Sequence, residues 1–417
     1  MEQYLIKGNK KLQGEIKVVG AKNQALKMIA ASLLSTEPMI IDNCPLIEDV
    51  KRLLEILESI GVKIEHRNHT VKIDPSTINS SHPDDELVKR LRSSIMLAGP
   101  MLARLGKVTM SHPGGCIIGQ RPIDMFLEGF KLLGAEITDE KNSYTLTAKK
   151  LKGAKIIMPW ISVTGTESLM MTACLAEGKT QIINAAMEPE IPALAEYLNN
   201  CGAKITGAGT PIIEIEGVKK LTGGKCQLIP DRIEAGTFVI LGLITKSNIK
   251  VSNCEPKHLE VVLTLLKKAG AKLKIGKDYI ETLPSKLTAT ELRTHEYPGF
   301  PTDLQAPFTV LMTQAEGVSL IHEIIYEGRL FYTDKLITMG AKIIMCDPHR
   351  VIINGPTQLY GRKLESPDLR AGMALILAGL IAKGETIIDN IYQIERGYEN
   401  PIERLNLLGA DIKKIKN

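Results

Sequence analysis

Six times along this chain a glycine closes an amphipathic helical stretch and is followed by a hydrophobic-X-hydrophobic alternation. The six occurrences are Gly61-Val-Lys-Ile, Gly134-Ala-Glu-Ile, Gly202-Ala-Lys-Ile, Gly270-Ala-Lys-Leu, Gly340-Ala-Lys-Ile and Gly409-Ala-Asp-Ile. Their spacings are 73, 68, 68, 70 and 69 residues. Glycine suits the left-handed position that ends a helix, and the alternation after it is the start of a strand. A period near seventy is too long for a solenoid. It fits an α/β module of two helices and several strands, used six times. At 417 residues the chain exceeds one ordinary core, so the modules divide into two domains of three. The Gly-rich stretch Leu221-Thr-Gly-Gly-Lys-Cys-Gln-Leu-Ile-Pro230 marks the seam.

Two loops recur in each module. The first precedes an apolar helix and contains Lys22-Asn23, Arg92-Ser93-Ser94, Ser162-Val163-Thr164, Asp231-Arg232, Pro301-Thr302-Asp303 and Asp368-Leu369-Arg370. Ser, Thr, Asp and Asn there are ordinary N-caps. Lys22, Arg92, Arg232 and Arg370 are not. A cation at a helix start opposes the helix dipole unless an anion sits beside it, so these positions suggest an anion site. Asp303, pinned by Tyr-Pro-Gly-Phe-Pro-Thr, is either a cap or a general base.

The second loop leads into the helix that ends at the signature glycine. From its first polar residue to that glycine the spacing is 18 residues from Asn43, 18 from Asn184, 17 from Asn253, 18 from His322 and 19 from Asn390. From His112 it is 22. That long version is Ser111-His-Pro-Gly-Gly-Cys116-Ile-Ile-Gly-Gln-Arg121-Pro122-Ile123-Asp124. An insertion full of glycine at one module of six reads as a lid or active-site loop. A lone cysteine is usually a small buried hydrophobe. On this loop, near Arg121, Cys116 is placed for chemistry instead. Arg121 before a proline makes a compact anion clamp, and Arg329 and Arg396 occupy the corresponding loops of the fifth and sixth modules.

Bulk properties remove several classes. Net charge is only +5 and aromatics are 4%, with no basic tract, so no nucleic-acid partner is expected. The longest apolar run, Met373 to Ala382, is too short to span a bilayer. Seven scattered cysteines without a CxxC pair suit a reducing cytoplasm. The histidines show no metal-ligand spacing. No GxxxxGK[ST] or strand-linked GxGxxG occurs, and no cofactor is expected.

Taken together, Gly-Ala-Lys22-Asn23, Arg92-Ser, Pro-Gly-Gly-Cys116-Ile-Ile-Gly-Gln-Arg121-Pro-Ile-Asp124, Pro-Asp-Arg232-Ile-Glu, Phe-Pro-Thr-Asp303-Leu-Gln, Asp368-Leu-Arg370 and Glu-Arg396-Gly-Tyr resemble one family over the whole chain. It is the UDP-N-acetylglucosamine 1-carboxyvinyltransferase family, the enolpyruvyl transferases that open peptidoglycan precursor synthesis. The resemblance implies an inside-out α/β barrel of two domains, residues 22–229 and residues 1–21 with 230–417, closing over the substrates. The first would lie on the UDP-sugar side and carry the Cys116 lid; the second would be the catalytic side.

The implied reaction moves the enolpyruvyl group of phosphoenolpyruvate to the 3'-hydroxyl of UDP-N-acetylglucosamine, by addition and then elimination of phosphate. By resemblance, Cys116 supplies acid chemistry and Asp303 is the base, with Lys22 and Arg396 also catalytic. Lys22, Arg121 and Arg396 would hold phosphoenolpyruvate, with Arg92 in support, while Asn23 and Asp303 position the sugar. Arg121, Pro122, Ile123, Asp124 and Met125, with Ser162, Val163 and Thr164, would take the uridine diphosphate. Ile325, Arg329 and Asp368 would lie near substrate, and Asp49 is a further family position. The chain departs from the commoner pattern at Gln24, Lys27, Phe126, Trp160 and Thr164. The resemblance further implies alkylation of Cys116 by the epoxide fosfomycin. Shikimate-type enolpyruvyl transfer is the nearest rival, and the inserted Cys116 loop speaks against it. A UDP-sugar-binding paralogue without catalysis is the rival of another class.

Overall fold

The computed structural model describes residues 2–112 and 123–416. Cys116, Arg121 and Pro122 therefore lie outside the described residues. Two compact units result, one built from the chain up to Val19 and from Pro230 onward, the other from Gly20 to Ile229 over the described residues.

In the first unit, three helices form the interior: Arg232–Ile244, Gln305–Met312 and Leu369–Ile381, which pack on one another. Every residue of the first two is buried, and so is most of the third. A helix apolar on all sides cannot be a surface helix and must be enclosed. Three four-stranded sheets enclose it. Gln13–Lys17 runs parallel to Asn248–Ser252, which continues antiparallel into Tyr279–Leu283 and Lys272–Ile275. Leu292–Arg293 stands in the same relation to Gly317–His322, Arg350–Gly355 and Lys342–Asp347. In the third sheet Lys363–Glu365 is followed by Glu385–Asp389, and the N-terminal strand Glu2–Lys7 lies between Glu385–Asp389 and Asp411–Lys416. The strand that opens the chain thus completes its last module.

The second unit repeats the plan. Its interior helices are Lys22–Ala31, Ala98–Leu105 and Val163–Ala173. The last two approach closely at Gly99, where a Cβ would stand 2.1 Å from Thr172 Oγ1. Its sheets comprise Gly224–Gln227 with Met39–Asp42, Thr70–Asp74 and Lys63–Arg67, and Lys155–Ile157 with Lys179–Ile183, Ile212–Glu216 and Lys204–Thr206. A third has Lys107–Ser111, Ser143–Thr147 and Glu136–Asp139 among the described residues. Helices inside and sheets outside, three modules to a unit, make an inside-out α/β barrel architecture.

All six signature glycines have positive φ, from +89° at Gly61 to +105° at Gly340, as a helix-ending left-handed residue must. A second repeated device sits at the loop asparagines. Asn43, Asn184, Asn253 and Asn390 have φ of +58°, +64°, +53° and +55°. Each donates its side-chain amide to a carbonyl just beyond the parallel strand of its sheet: Leu228 at 3.2 Å, Met158 at 3.0 Å, Val18 at 2.7 Å and Ser366 at 3.0 Å. Asparagine tolerates this backbone region better than other side chains, so one residue both turns the chain and ties the sheet.

Candidate active site

The fifth module lacks that asparagine. His322 stands there, and the next residue, Glu323, takes over the tie. Its side chain is fully buried. Oε1 accepts from Thr294 Oγ1 at 2.9 Å and from the Ile325 amide at 2.9 Å, and Oε2 accepts from Thr302 Oγ1 at 2.8 Å. A buried carboxylate needs such donors to offset its lost hydration. One side chain therefore holds both the Ile325 loop and the turn Thr302–Leu304 that carries Asp303. Sequence reasoning missed Glu323. The signal was the departure of this loop from the asparagine of four other modules.

Asp303 does not cap its helix: neither the turn Thr302–Leu304 nor the helix Gln305–Met312 has a side-chain cap. The capping alternative is set aside for a physical reason, since two guanidiniums claim the carboxylate. Arg329 Nη2 donates to Oδ1 at 2.8 Å, and Arg370 donates to Oδ2 through Nε at 3.0 Å and Nη2 at 2.9 Å. Charge-assisted bonds of this length are the strong class. Arg329 and Arg370 are 5% and 3% exposed, whereas the Asp303 side chain is 26% exposed.

Both guanidiniums are firmly seated. Arg370 lies over the Tyr398 ring at 5.4 Å and Arg329 over Tyr326 at 5.7 Å. Asp368 caps the helix Leu369–Ile381 through the amides of Arg370 and Ala371 at 2.9 and 3.1 Å. Burial works against the Arg329 charge, but Asp303, Asp368 and Glu323 more than offset it, so its pKa lies above the ordinary arginine value. Arg370 is likewise raised, by Asp303, Tyr398 and Asp231 against burial. The last sequence-predicted residue of this unit, Arg396, follows the short helix Tyr392–Glu395 and donates to Gln393 Oε1 at 3.2 Å.

In the second unit, Lys22 opens its helix without a side-chain cap at Ala21 and pairs with Asp49 at 3.0 Å. The two side chains are 12% and 6% exposed. For Lys22 and Arg370 the anion that a cation at a helix start calls for is thus a carboxylate of the chain itself, which refines the expectation of a bare anion site. Arg232 lies over the Tyr297 ring at 5.6 Å. Asn23 follows Lys22 in the first turn, and Arg92 opens the turn Arg92–Leu97, which packs on the helix Lys22–Ala31. Ser162 caps Val163–Ala173 by accepting from the Gly165 amide at 3.1 Å. Thr164 follows in that first turn. A Cβ on Gly165 would lie 3.0 Å from Met125 Cε. The structure therefore brings Ile123, Asp124 and Met125, at the start of Asp124–Leu132, beside the Ser162–Thr164 turn.

Two departures from the family pattern belong to the interior. Gln24 accepts from the Ile229 amide at 2.7 Å, and Lys27 pairs with Glu167 at 3.1 Å. Phe126 is buried, while Trp160 is half exposed. Among the described residues no group of His, Cys, Asp and Glu is arranged to hold a metal ion, and no helix is long and apolar enough to cross a membrane.

The family model for EPSP synthase (3-phosphoshikimate 1-carboxyvinyltransferase) matches residues 6–405. A UDP-N-acetylglucosamine 1-carboxyvinyltransferase from Halothermothrix orenii is 47% identical over 417 residues, covering 100% of both chains. One from Koribacter versatilis is 43% identical over 420 residues, covering 100% of this chain and 97% of its own. Among solved structures, the enolpyruvyl transferase NikO from Streptomyces tendae superposes with a TM-score of 0.91 at 24% identity, over 100% of this chain and 99% of that one. EPSP synthase from Acinetobacter baumannii superposes at 0.76 with 21% identity, over 100% of both. These two likenesses speak for the fold. With the family model and the full-length relatives they lead to one conclusion: the chain belongs to the EPSP synthase family of enolpyruvyl transferases, among the UDP-N-acetylglucosamine 1-carboxyvinyltransferases.

Proposed function

We propose that this chain transfers the enolpyruvyl group of phosphoenolpyruvate to the 3'-hydroxyl of UDP-N-acetylglucosamine and releases phosphate. The observation that carries this reading is full-length identity of 47% to a relative so named, in a chain whose candidate base, Asp303, sits against two buried guanidiniums. In the addition step the sugar oxygen attacks C2 of the enol. Its proton leaves to Asp303, and the methylene carbon receives a proton from Cys116 acting as acid. In the elimination step the C2–O bond to phosphate breaks, phosphate leaves with the bonding pair, and a methyl proton returns to the Cys116 thiolate left by the addition, which restores the carbon–carbon double bond. Every species on this path is anionic, so cations and oriented amides must replace water. Lys22, Arg121 and Arg396 serve the donor with support from Arg92. Asn23 serves the sugar, and the segments around Ile123–Met125 and Ser162–Thr164 serve the uridine diphosphate. Ile325, Arg329 and Asp368 complete the surroundings of Asp303.

The division of labour follows the units: residues 22–229 bind the nucleotide sugar, and residues 1–21 with 230–417 carry out proton removal. The substrates place the chain in the cytoplasm, at the first committed step of cell-wall precursor synthesis. Phosphate release from phosphoenolpyruvate, measured with and without UDP-N-acetylglucosamine and with shikimate 3-phosphate as the alternative acceptor, tests the reading. Release that requires the UDP-sugar and is lost in Cys116→Ala is expected. Release with shikimate 3-phosphate instead, or none from folded protein, would sink it. The Cys116→Asp variant should turn over yet escape alkylation by fosfomycin, because a carboxyl can donate the proton but is a poor nucleophile toward the epoxide.

A further inference from the structure

We propose that Asp303 is latched in the unliganded chain, and that an anionic group of the donor substrate must take over Arg329 and Arg370 before Asp303 can accept the sugar proton. The inference rests on the proposed enolpyruvyl transfer and adds to it an order of events. A base must offer a lone pair to the proton it removes. Here three charge-assisted bonds, one to Oδ1 from Arg329 and two to Oδ2 from Arg370, take up most of the roughly four lone-pair sites of the carboxylate and hold it turned to the guanidiniums.

The parts differ in freedom. The guanidiniums are almost wholly buried and seated on Tyr326 and Tyr398. The Tyr398 hydroxyl is in turn bonded to Thr237 Oγ1 at 3.2 Å. The backbone under Asp303 is fixed as well, because the preceding Thr302 is tied to Glu323. The Asp303 side chain is the exposed member of the cluster, and its side-chain torsions are the motion left to it. An arriving anion with two or three oxygens offers the same acceptors as the carboxylate it displaces, so the guanidiniums exchange one anion for another without being left unpaired. The exchange turns Asp303 from a structural counter-ion into a base only when the donor is in place. Geometry thereby couples donor binding to base release, a coupling free energy between two ligands of one site.

Asp303→Asn tests this, because it keeps the shape and removes the competing charge. Affinity for phosphoenolpyruvate is measured by titration calorimetry on the full chain without the UDP-sugar, beside wild type and Asp303→Glu, which keeps the charge. The latch expects Asp303→Asn to bind phosphoenolpyruvate at least tenfold more tightly than wild type while turnover falls at least a thousandfold. Asp303→Glu should bind within about threefold of wild type. A base with no latching role would lose turnover with donor affinity unchanged. Unchanged or weaker binding in Asp303→Asn therefore overturns the latch. If Asp303→Asn does not fold, Asp303→Ser is read in the same way. Phosphate release by the same wild-type preparation separates the two claims: a wild type that turns over beside an Asp303→Asn of unchanged affinity sinks the latch alone. A wild type with no UDP-sugar-dependent release sinks the proposed reaction, and the latch with it.

Discussion

Each unit contains a cluster of buried opposite charges, and the two are built for different ends. In one, Lys27 meets Glu167 with side-chain exposures of 6% and 0%. In the other, Asp303 meets Arg329 and Arg370, and the carboxylate keeps 26% exposure while each guanidinium side chain has 4%. Both are ion pairs inside a folded unit, so burial by itself does not mark a site. What separates them is which partner remains reachable, and whether the partner's charge is permanent. A lysine–glutamate pair sealed on all sides can only stabilise or destabilise the fold. A reachable carboxylate backed by two guanidiniums that cannot give up their protons can exchange partners with an incoming anion.

The largest effect expected from this difference is on turnover. Arg370→Met removes one of the two guanidiniums and should lower phosphate release about 10²–10³-fold, the cost of losing one preorganised donor at developing charge. Glu167→Gln, which alters the sealed cluster, should leave turnover within about threefold. Comparable losses from both variants in the phosphate-release assay would erase the distinction between the clusters.

Next in size is a pH-dependent effect on stability confined to the sealed pair. Burial, with Glu190 and Glu188 behind it, outweighs the opposing pull of Lys27 and leaves the Glu167 carboxyl raised from 4.5 to about 7. A carboxyl raised on folding holds its proton more tightly in the folded chain than in the unfolded one. Its contribution to stability is therefore full below about 4.5 and declines as pH rises toward 7. Lys27→Met removes the influence that opposes burial. At pH 8 the carboxyl must then either ionise unpaired in the interior or take up a proton against the solvent, and the loss should be about 3–5 kcal/mol. At pH 5, where the carboxyl is protonated, no charge is stranded and the loss should be only about 1–2 kcal/mol. Urea midpoints at the two pH values check this, and equal losses would mean that Glu167 does not change protonation between them.

The two clusters also differed in how far the sequence disclosed them. The sixfold plan was readable because glycine at a helix end and alternation after it are local signals, and all six glycines have the positive φ that their positions require. Asp303, Arg329 and Arg370 each stood out locally, on loops pinned by proline and glycine or at a helix start. Their convergence on one carboxylate did not, because it depends on contacts 26 and 67 residues apart in sequence. For the same reason Lys22 and Arg370 read as cations awaiting a ligand, when carboxylates from elsewhere in the chain already faced them. Lys27 and Glu167 were invisible as a pair, since each lies inside an apolar helix with no turn or cap to mark it. Glu323 could have been found by comparing module with module, because it stands beside the one position among five aligned loops where histidine replaces asparagine.

That replacement gives the smallest and most specific test. Where the asparagine is kept, as at Asn253, it serves the scaffold alone: φ is +53°, and the amide reaches the Val18 carbonyl at 2.7 Å. Asn253→Gly loses the hydrogen bond but keeps an easy backbone, and should cost about 1 kcal/mol. Asn253→Ala loses the bond and must also hold a Cβ in the left-handed region, for about 1–2 kcal/mol more. Neither should change turnover once the protein is folded. In the fifth module the same structural duty falls to Glu323, whose carboxylate also fixes Thr302 and the Ile325 loop beside Asp303. Glu323→Gln should therefore lower turnover by a larger factor than Asn253→Ala, even where the two lose similar stability. Urea midpoints and phosphate-release rates taken together decide the matter. If turnover tracks stability alike in both variants, the fifth-module loop is scaffold like the others and its glutamate has no special tie to the chemistry.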